Sequence, residues 1–146
     1  MTRYTLTNVA KDGVLIVALG NHWLRRNLGI TLKRKYYTSS KMRGAARLLQ
    51  HLRELSKTNE DMSSYLSPRN FDLVCEAALL CAHMENDDED LKSPSTSIKI
   101  GFDVARMAGF KLGIALRDGN NDAKEEAEEL KMLMTMEWSV RVSKLA

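Results

Sequence analysis

Only two prolines interrupt this chain of 146 residues, and each follows a serine at a point where a helix could begin. Pro68 comes after Ser67, and Pro94 comes after Ser93. Proline is tolerated in the first turn of a helix but not in its interior. The segments between the prolines show little of the alternation of β-branched residues that strands require. Together these features predict an all-α chain.

The gross composition is that of a globular domain with a hydrophobic core, since 44% of the residues are apolar and 28% are charged. The apolar runs, such as Val14–Leu19, are far shorter than the roughly 18–20 residues that cross a bilayer. The first residues, Met1–Tyr4, lack a signal-peptide pattern. Cys75 and Cys81 share one apolar stretch, which is typical of reduced, intracellular cysteines. We expect one domain over residues 1–146, inside the cell and without a membrane partner.

Apolar periodicity indicates five helices, which makes a single five-helix bundle the expected architecture. The first contains a glycine-bounded apolar run, Gly13–Gly20, that could equally be a buried strand. A helix is favoured because Trp23 and Leu24 continue the apolar stripe. Gly119 is expected to end the fourth helix, and Asn121 to cap the fifth. The five predicted helices cover about residues 8–27, 41–56, 67–83, 93–117 and 121 onward.

The second predicted helix has the clearest division into two faces. Apolar residues recur every three or four positions, and Ser39 or Ser40 is expected to cap the helix. Before it, Gly29–Thr38 is expected to be a basic loop. At 100° per residue, the side opposite the apolar stripe carries Ser40, Arg43, Gly44, Arg47 and His51. One side should therefore pack while the other presents basic groups.

The charge of the chain is laid out very unevenly. Residues 59–91 contain nine acids and a single base, Arg69, whereas residues 21–58 contain one acid, Glu54. The bases of that earlier block are Arg25, Arg26, Lys33, Arg34, Lys35, Lys41, Arg43, Arg47, Arg53 and Lys57. With so few acids, stabilising pairs at four-residue spacing are scarce, and like charges repel one another. A solvated helix surface is the plainer interpretation, but this block favours an anionic partner, namely duplex DNA.

Candidate DNA contacts follow from this layout. Arg43 and Arg47 are one turn apart and could contact successive phosphates or a guanine edge. Ser40 and the helix N-terminus could donate hydrogen bonds to a phosphate, and Gly44 would let the ligand backbone approach closely. The remaining predicted contacts are Lys33, Arg34, Lys35 and Lys41, which add non-specific attraction, His51 on the basic face, and Lys99 and Arg106 on the fourth helix.

Two features weaken parts of this assignment. Lys99 and Arg106 share their helix face with Asp103 and Phe110, so that face is not purely basic. His51 is interpreted chiefly as an exposed helix residue rather than a base contact. Tyr36 and Tyr37 could stack on bases, although packing of one of them under the second helix is favoured.

No pattern for catalysis or for a cofactor is found. Cys75, Cys81 and His83 have spacings that place them on different sides of a helix, which argues against a shared zinc ion. Glu125 and Glu129 have helical spacing but no histidine nearby, and no glycine-rich phosphate loop occurs. We therefore expect no cofactor, no metal, no small-molecule substrate and no independent enzymatic activity.

Three stretches resemble proteins of animal mobile elements of the Crypton or DIRS kind, which carry a tyrosine-recombinase-like domain. They are Tyr37–Leu49, Ser93–Gly101 and Met136–Ser143, and the similarity extends over most of residues 10–146. The resemblance implies the helical core-binding domain that precedes the catalytic domain, one half of a clamp around duplex DNA. It also implies a nuclear location and a homo-oligomer on DNA as a further partner.

The same resemblance implies that catalytic residues lie elsewhere. In that family an activating arginine, a His-x-x-Arg pair and a tyrosine nucleophile belong to the downstream domain. The spacing occurs here at His22 and Arg25, but in an apolar helix without a suitable tyrosine, so no catalytic role is assigned. Two alternatives to DNA binding stay open. One is a protein-interaction module that uses the methionine-rich last helix, and the other is a regulator that keeps the fold without binding DNA.

Overall fold

A computed structural model of the chain describes residues 13–26, 31–85 and 95–143. Every element in these residues is helical, and no strand occurs among them. The all-α prediction is therefore confirmed, with a helical bundle as the architecture. The six α-helices of the described residues are α1 (Val14–Arg26), α2 (Thr31–Ser56), α3 (Met62–Tyr65), α4 (Phe71–Glu85), α5 (Ser95–Asp118) and α6 (Asn121–Trp138). A 3-10 turn, Pro68–Asn70, leads into α4, and a π-helical turn, Ser139–Ser143, continues α6.

The hydrophobic core is built from the apolar stripes of the long helices. The Gly13–Gly20 segment, which could have been a strand, is helical and buries Leu15, Ile16 and Leu19 on one side. The largest side chains that α2, α4, α5 and α6 bury completely are Leu49, Leu52, Val74, Val104, Met107 and Leu130. Since each helix hides one stripe and exposes the rest, burial of these stripes is what brings the helices together.

Helix α2 is longer than the sequence pattern predicts. The basic loop expected at Gly29–Thr38 is wrong over residues 31–38, because α2 begins at Thr31 and runs for 26 residues to Ser56. The added turns contain neither glycine nor proline and include leucine, lysine and arginine, which favour helix. Ser39 and Ser40 consequently lie inside α2 and cannot be its N-cap.

The remaining differences concern short elements and caps. Helix α3 was not predicted; its N-cap is Asp61, whose carboxylate accepts a hydrogen bond from the Met62 amide at 2.9 Å. The N-cap of α6 is Asn120 rather than Asn121, because the Asn120 side chain accepts a hydrogen bond from the Ala123 amide. Gly119 has a φ of +68°, which glycine adopts without strain, so its prediction as the end of α5 is correct. The first twelve residues and the acidic segment 86–90 lie outside the described residues.

A buried lysine connects α5 to α3 and α6. The Lys111 side chain is only 5% exposed, and its ammonium group donates hydrogen bonds to the carbonyls of Ser63 and Leu66 at 2.8 and 2.7 Å. Its third partner is a carboxylate oxygen of Glu126, at 2.9 Å. All three N–H groups therefore have an acceptor, which is the condition under which a buried ammonium group is tolerated.

The start of α5 packs against the end of α6 at a glycine. Gly101 is buried, and a Cβ at this position would meet Cδ1 and Cε2 of the Trp138 indole at 2.9 Å, with Nε1 closer still. The indole N–H donates a hydrogen bond to the carbonyl of Ser97 at 3.2 Å. Gly101 therefore makes the space that lets Trp138 reach the first turn of α5.

We expect Lys111→Met to destabilise the protein by about 2–4 kcal/mol, because two buried carbonyls and a carboxylate lose their partner. Urea denaturation followed by circular dichroism measures this change. Lys131→Met, which removes an exposed lysine of α6, is the control and should alter the free energy of unfolding by about 0.5 kcal/mol or less. Equal stability of the two variants would contradict the role assigned to Lys111.

Two alanine substitutions within α5 should have opposite effects. Gly101→Ala is expected to destabilise the protein by about 1–3 kcal/mol, because the new methyl group displaces the Trp138 indole. Gly113→Ala meets no atom within 4 Å and should stabilise the protein by about 0.5–1 kcal/mol through helix propensity. Thermal unfolding of both variants gives the sign, and destabilisation by both would refute this account of Gly101.

Candidate nucleic-acid interface

The outward face of α2 carries five of the residues that the sequence selected. Ser40 and Arg47 are exposed, and Arg43 and Gly44 are partly exposed. The His51 side chain is only 15% exposed, so the expectation of an exposed histidine is wrong. The opposite side of the helix is buried through Ala45, Ala46, Leu48, Leu49 and Leu52. This division follows from the helical period alone, since the buried positions occupy one continuous sector of the helix.

Arg43 and Arg47 lie on the same side of α2, about 6 Å apart along the helix axis. Both also interact within the protein. Gly44 stands beside them, and a Cβ there would have no neighbouring atom within 4 Å. The surface next to the two guanidinium groups is therefore open to an approaching backbone.

One acid lies on this same face. Glu54 is exposed, and one of its carboxylate oxygens is 3.9 Å from Nδ1 of His51. Glu54 is seven residues, or about two turns, beyond Arg47. The positive part of the face therefore lies toward the N-terminal side of His51, and its C-terminal end is close to neutral.

Lys41, a predicted DNA contact, does not belong to the outward face of α2. It comes two positions before Arg43, so its side chain points about 200° around the helix from that of Arg43. Its ammonium group is 3.4 Å from a carboxylate oxygen of Asp103 and 5.1 Å from the centre of the Trp23 ring. The Lys41 side chain is 19% exposed. Lys41 therefore joins α2 to α5 and α1 rather than extending the cationic surface.

Ser40 keeps an exposed side chain but loses part of its predicted role. Because α2 begins at Thr31, the Ser40 amide lies in the interior of the helix, where it bonds within the helix. The expected phosphate site at a helix N-terminus beside Ser40 is therefore wrong. Its hydroxyl group remains on the same side of α2 as Arg43 and Arg47.

The two predicted DNA contacts on α5 lie near the point where α5 meets α2. Lys99 and Arg106 are about one turn before and after Asp103, the partner of Lys41. Lys99 is exposed, whereas Arg106 is partly buried and its Nε lacks a hydrogen-bond partner. Asp103 and Phe110 share this side of the helix, as the sequence indicated. The side chains of Lys33, Arg34 and Lys35 lie outside the described part of the chain.

Burial dominates the electrostatics of Asp103. It raises the pKa of this carboxyl group above 3.8, and the charges of Lys41 and Arg106 oppose the rise only in part. The ion pair with Lys41 therefore stands in a setting that disfavours the carboxylate. Asp103 therefore serves to join α5 to α2 through Lys41.

The other reactive side chains are packed among the helices. The His22 ring lies 6.0 Å from that of Trp23 and 6.2 Å from that of Phe110, between ring centres. Arg25, three residues on, is exposed.

Burial raises the pKa of the Cys75 thiol to about 11, so this thiol stays protonated at neutral pH. Within residues 13–26, 31–85 and 95–143, no three His, Cys, Asp or Glu side chains could hold a metal ion.

Comparison with known proteins adds no identification. No protein-family model, curated protein or solved structure matches this chain. The resemblance to tyrosine-recombinase-like proteins therefore stays a prediction. Among the helices of the described residues, none is long and apolar enough to span a membrane.

The raised pKa of Asp103 predicts an inverted pH dependence. At neutral pH the folded state must keep this carboxyl group ionised against its environment, which opposes folding. As the pH falls through the pKa of the folded state, the group is protonated and this opposition disappears; below about 3.8 the unfolded state is protonated too. The wild type should therefore gain stability relative to Asp103→Asn as the pH is lowered from 7 to 4.

Urea denaturation of both proteins at several pH values tests this expectation. Asp118→Asn, which removes an exposed carboxylate from the end of the same helix, controls for the loss of one negative charge. If the difference between wild type and Asp103→Asn moved the other way, Lys41 rather than burial would dominate the site.

Proposed function

We propose that this chain binds duplex DNA through the outward face of α2. The observation that carries the proposal is the pair Arg43 and Arg47, one turn apart beside the uncovered backbone of Gly44. Guanidinium groups bind phosphate oxygens and guanine edges through paired N–H donors. Two of them in a row on a helix surface can contact neighbouring phosphates of one strand.

The dimensions of α2 suit this role. Its 26 residues span about 39 Å, and the major groove, about 12 Å wide, admits an α-helix. A helix lying across the groove would reach the sugar–phosphate backbone on both sides. Contacts to the backbone supply affinity in a sequence-independent way, and contacts to base edges add specificity.

Two further elements of the proposal rest on the resemblance. In this proposal the bundle is a core-binding domain of the five-helix type found in tyrosine recombinases. It would grip DNA in the nucleus for a catalytic domain that lies elsewhere in a recombinase-like protein. The division of α2 into a packed and a cationic face supports DNA gripping, whereas the recombinase context rests on the resemblance alone.

A second candidate function is an interaction module, and one observation favours it. Met132, Met136 and Val140 are 62%, 70% and 58% exposed and follow one another at four-residue spacing. Apolar side chains that line up on a helix surface mark a docking site more often than single exposed residues do. This surface lies on α6 and the π-helical turn after it, and it does not include the arginine pair.

Mobility-shift titration with duplex DNA at several salt concentrations tests the first proposal. Arg43→Ala/Arg47→Ala should weaken binding and reduce the slope of log affinity against log salt by about 2, since each lost phosphate contact contributes about 0.9. The charge-conserving Arg43→Lys/Arg47→Lys should keep most of the slope and lose any contact with base edges.

A matched control removes two arginines from other parts of the surface. Arg69 precedes α4 and Arg117 lies near the end of α5, and both are exposed. Arg69→Ala/Arg117→Ala gives the same change in net charge and should leave the salt slope nearly unchanged. Equal losses in the two double variants would show non-specific attraction and reject the outward face of α2 as the binding surface.

A further inference from the structure

Helix α5 carries an apolar stripe that no other part of the described chain covers. Its large members are Ile98, Phe102 and Leu116, which are 46%, 67% and 58% exposed. Between them the small, partly exposed Ala105, Gly109 and Gly113 continue the same line. At 100° per residue, all six lie within a sector of about 80°. We call these six residues the α5 stripe.

Helix α6 and the π-helical turn that continues it carry a second stripe on the side away from the core. Met132, Met136 and Val140 lie opposite the side through which Leu130, Met134 and Trp138 are buried against the core. We call the three exposed residues the α6 stripe. Since α6 packs on α5 through its other side, the two stripes cannot cover each other within one molecule.

The charges beside the two stripes are opposite in sign. The α5 stripe is flanked on its own helix by Lys99, Arg106 and Arg117, and the Lys131 ammonium group lies 3.9 Å from the position of a Cβ on Gly109. The α6 stripe continues toward its N-terminus, at the same helical spacing, into the exposed Glu125 and Glu129. The α5 stripe therefore has basic groups beside it, and the α6 stripe has acidic groups that could pair with them.

A single antiparallel register matches both properties. With Val140 opposite Ile98 and Met136 opposite Phe102, two apolar residues of each stripe face each other, and Met132 lies opposite Arg106. The same register sets Glu129 opposite Gly109 and Glu125 opposite Gly113. Because glycines let helix backbones approach closely, the two carboxylates would come within reach of the flanking bases.

We propose that this chain associates with a second copy of itself, the α6 stripe of one copy docking on the α5 stripe of the next. The two docking surfaces are different patches, so the contact is heterologous and each bound copy leaves one of each stripe open. Association therefore continues to a ring or a filament. It requires no DNA and goes beyond the function proposed above.

Sedimentation velocity of the whole chain without DNA tests this proposal. The wild type should form species larger than a dimer as its concentration rises, and salt should weaken them because the flanking charges are screened. Phe102→Glu and Met136→Glu, each at an exposed position, should both be monomeric. An equal mixture of the two variants should form a dimer and nothing larger, since the mixture contains one intact pair of stripes.

Each other outcome overturns the proposal. A monomeric wild type would show that the stripes serve a different protein or none. Self-association of either single variant would show a contact between identical stripes, and a monomeric mixture would show that the two stripes do not recognise each other. Circular dichroism verifies that the variants fold, and Arg69→Ala, at an exposed position beside neither stripe, should associate as the wild type does.

Discussion

The ammonium group of Lys111 is the interaction on which the arrangement of the helices most depends. It sits in an almost fully buried position and holds two carbonyls near the end of α3 and a carboxylate of α6 at the same time. A charge at this depth is stable only while all its partners are in place, so the segment after α2, the middle of α5 and the start of α6 are fixed together. Trp138 does the same at the other end of the α5–α6 pair through the Ser97 carbonyl.

The basic block of the sequence serves two different purposes in the fold. Lys41 pairs with Asp103 against Trp23, and the guanidinium of Arg53 donates a hydrogen bond to the Glu60 carbonyl at 2.9 Å, which shapes the turn after α2. Arg43 and Arg47 instead lie on the outward face. A count of cations along the chain therefore overstates the cationic surface, because part of the block holds neighbouring segments in place.

The parts of the fold that follow from helical periodicity could be predicted, and the parts that depend on contacts between distant residues could not. The faces of α2 and the buried side of α6 are local patterns repeated over several turns. The pairing of Lys41 with Asp103 joins residues 62 positions apart, and no local signal contains it. One clue was present: Lys41, Ala45, Leu48 and Leu52 share a stripe, so a lysine on the packing side needed a buried partner. The first turns of α2 were not predicted, because a run of basic and polar residues resembles a loop in composition. The absence of glycine and proline from this run is the signal that indicates a helix.

The two proposed surfaces belong to different helices, and the Lys41–Asp103 pair joins α2 to α5. It holds α5 against the side of α2 that is about 200° around the helix from Arg43. Association through the α5 and α6 stripes therefore uses none of the residues of the outward face of α2. If copies associate head to tail, the arginine pair recurs once per copy at a constant spacing, which is the arrangement that suits a long, uniformly charged polymer. Lys99 and Arg106, which flank the α5 stripe, are also predicted DNA contacts, so the two functions share these bases. The arginine pair of α2 and the two apolar stripes have no residue in common, and each proposal is therefore tested with its own variants.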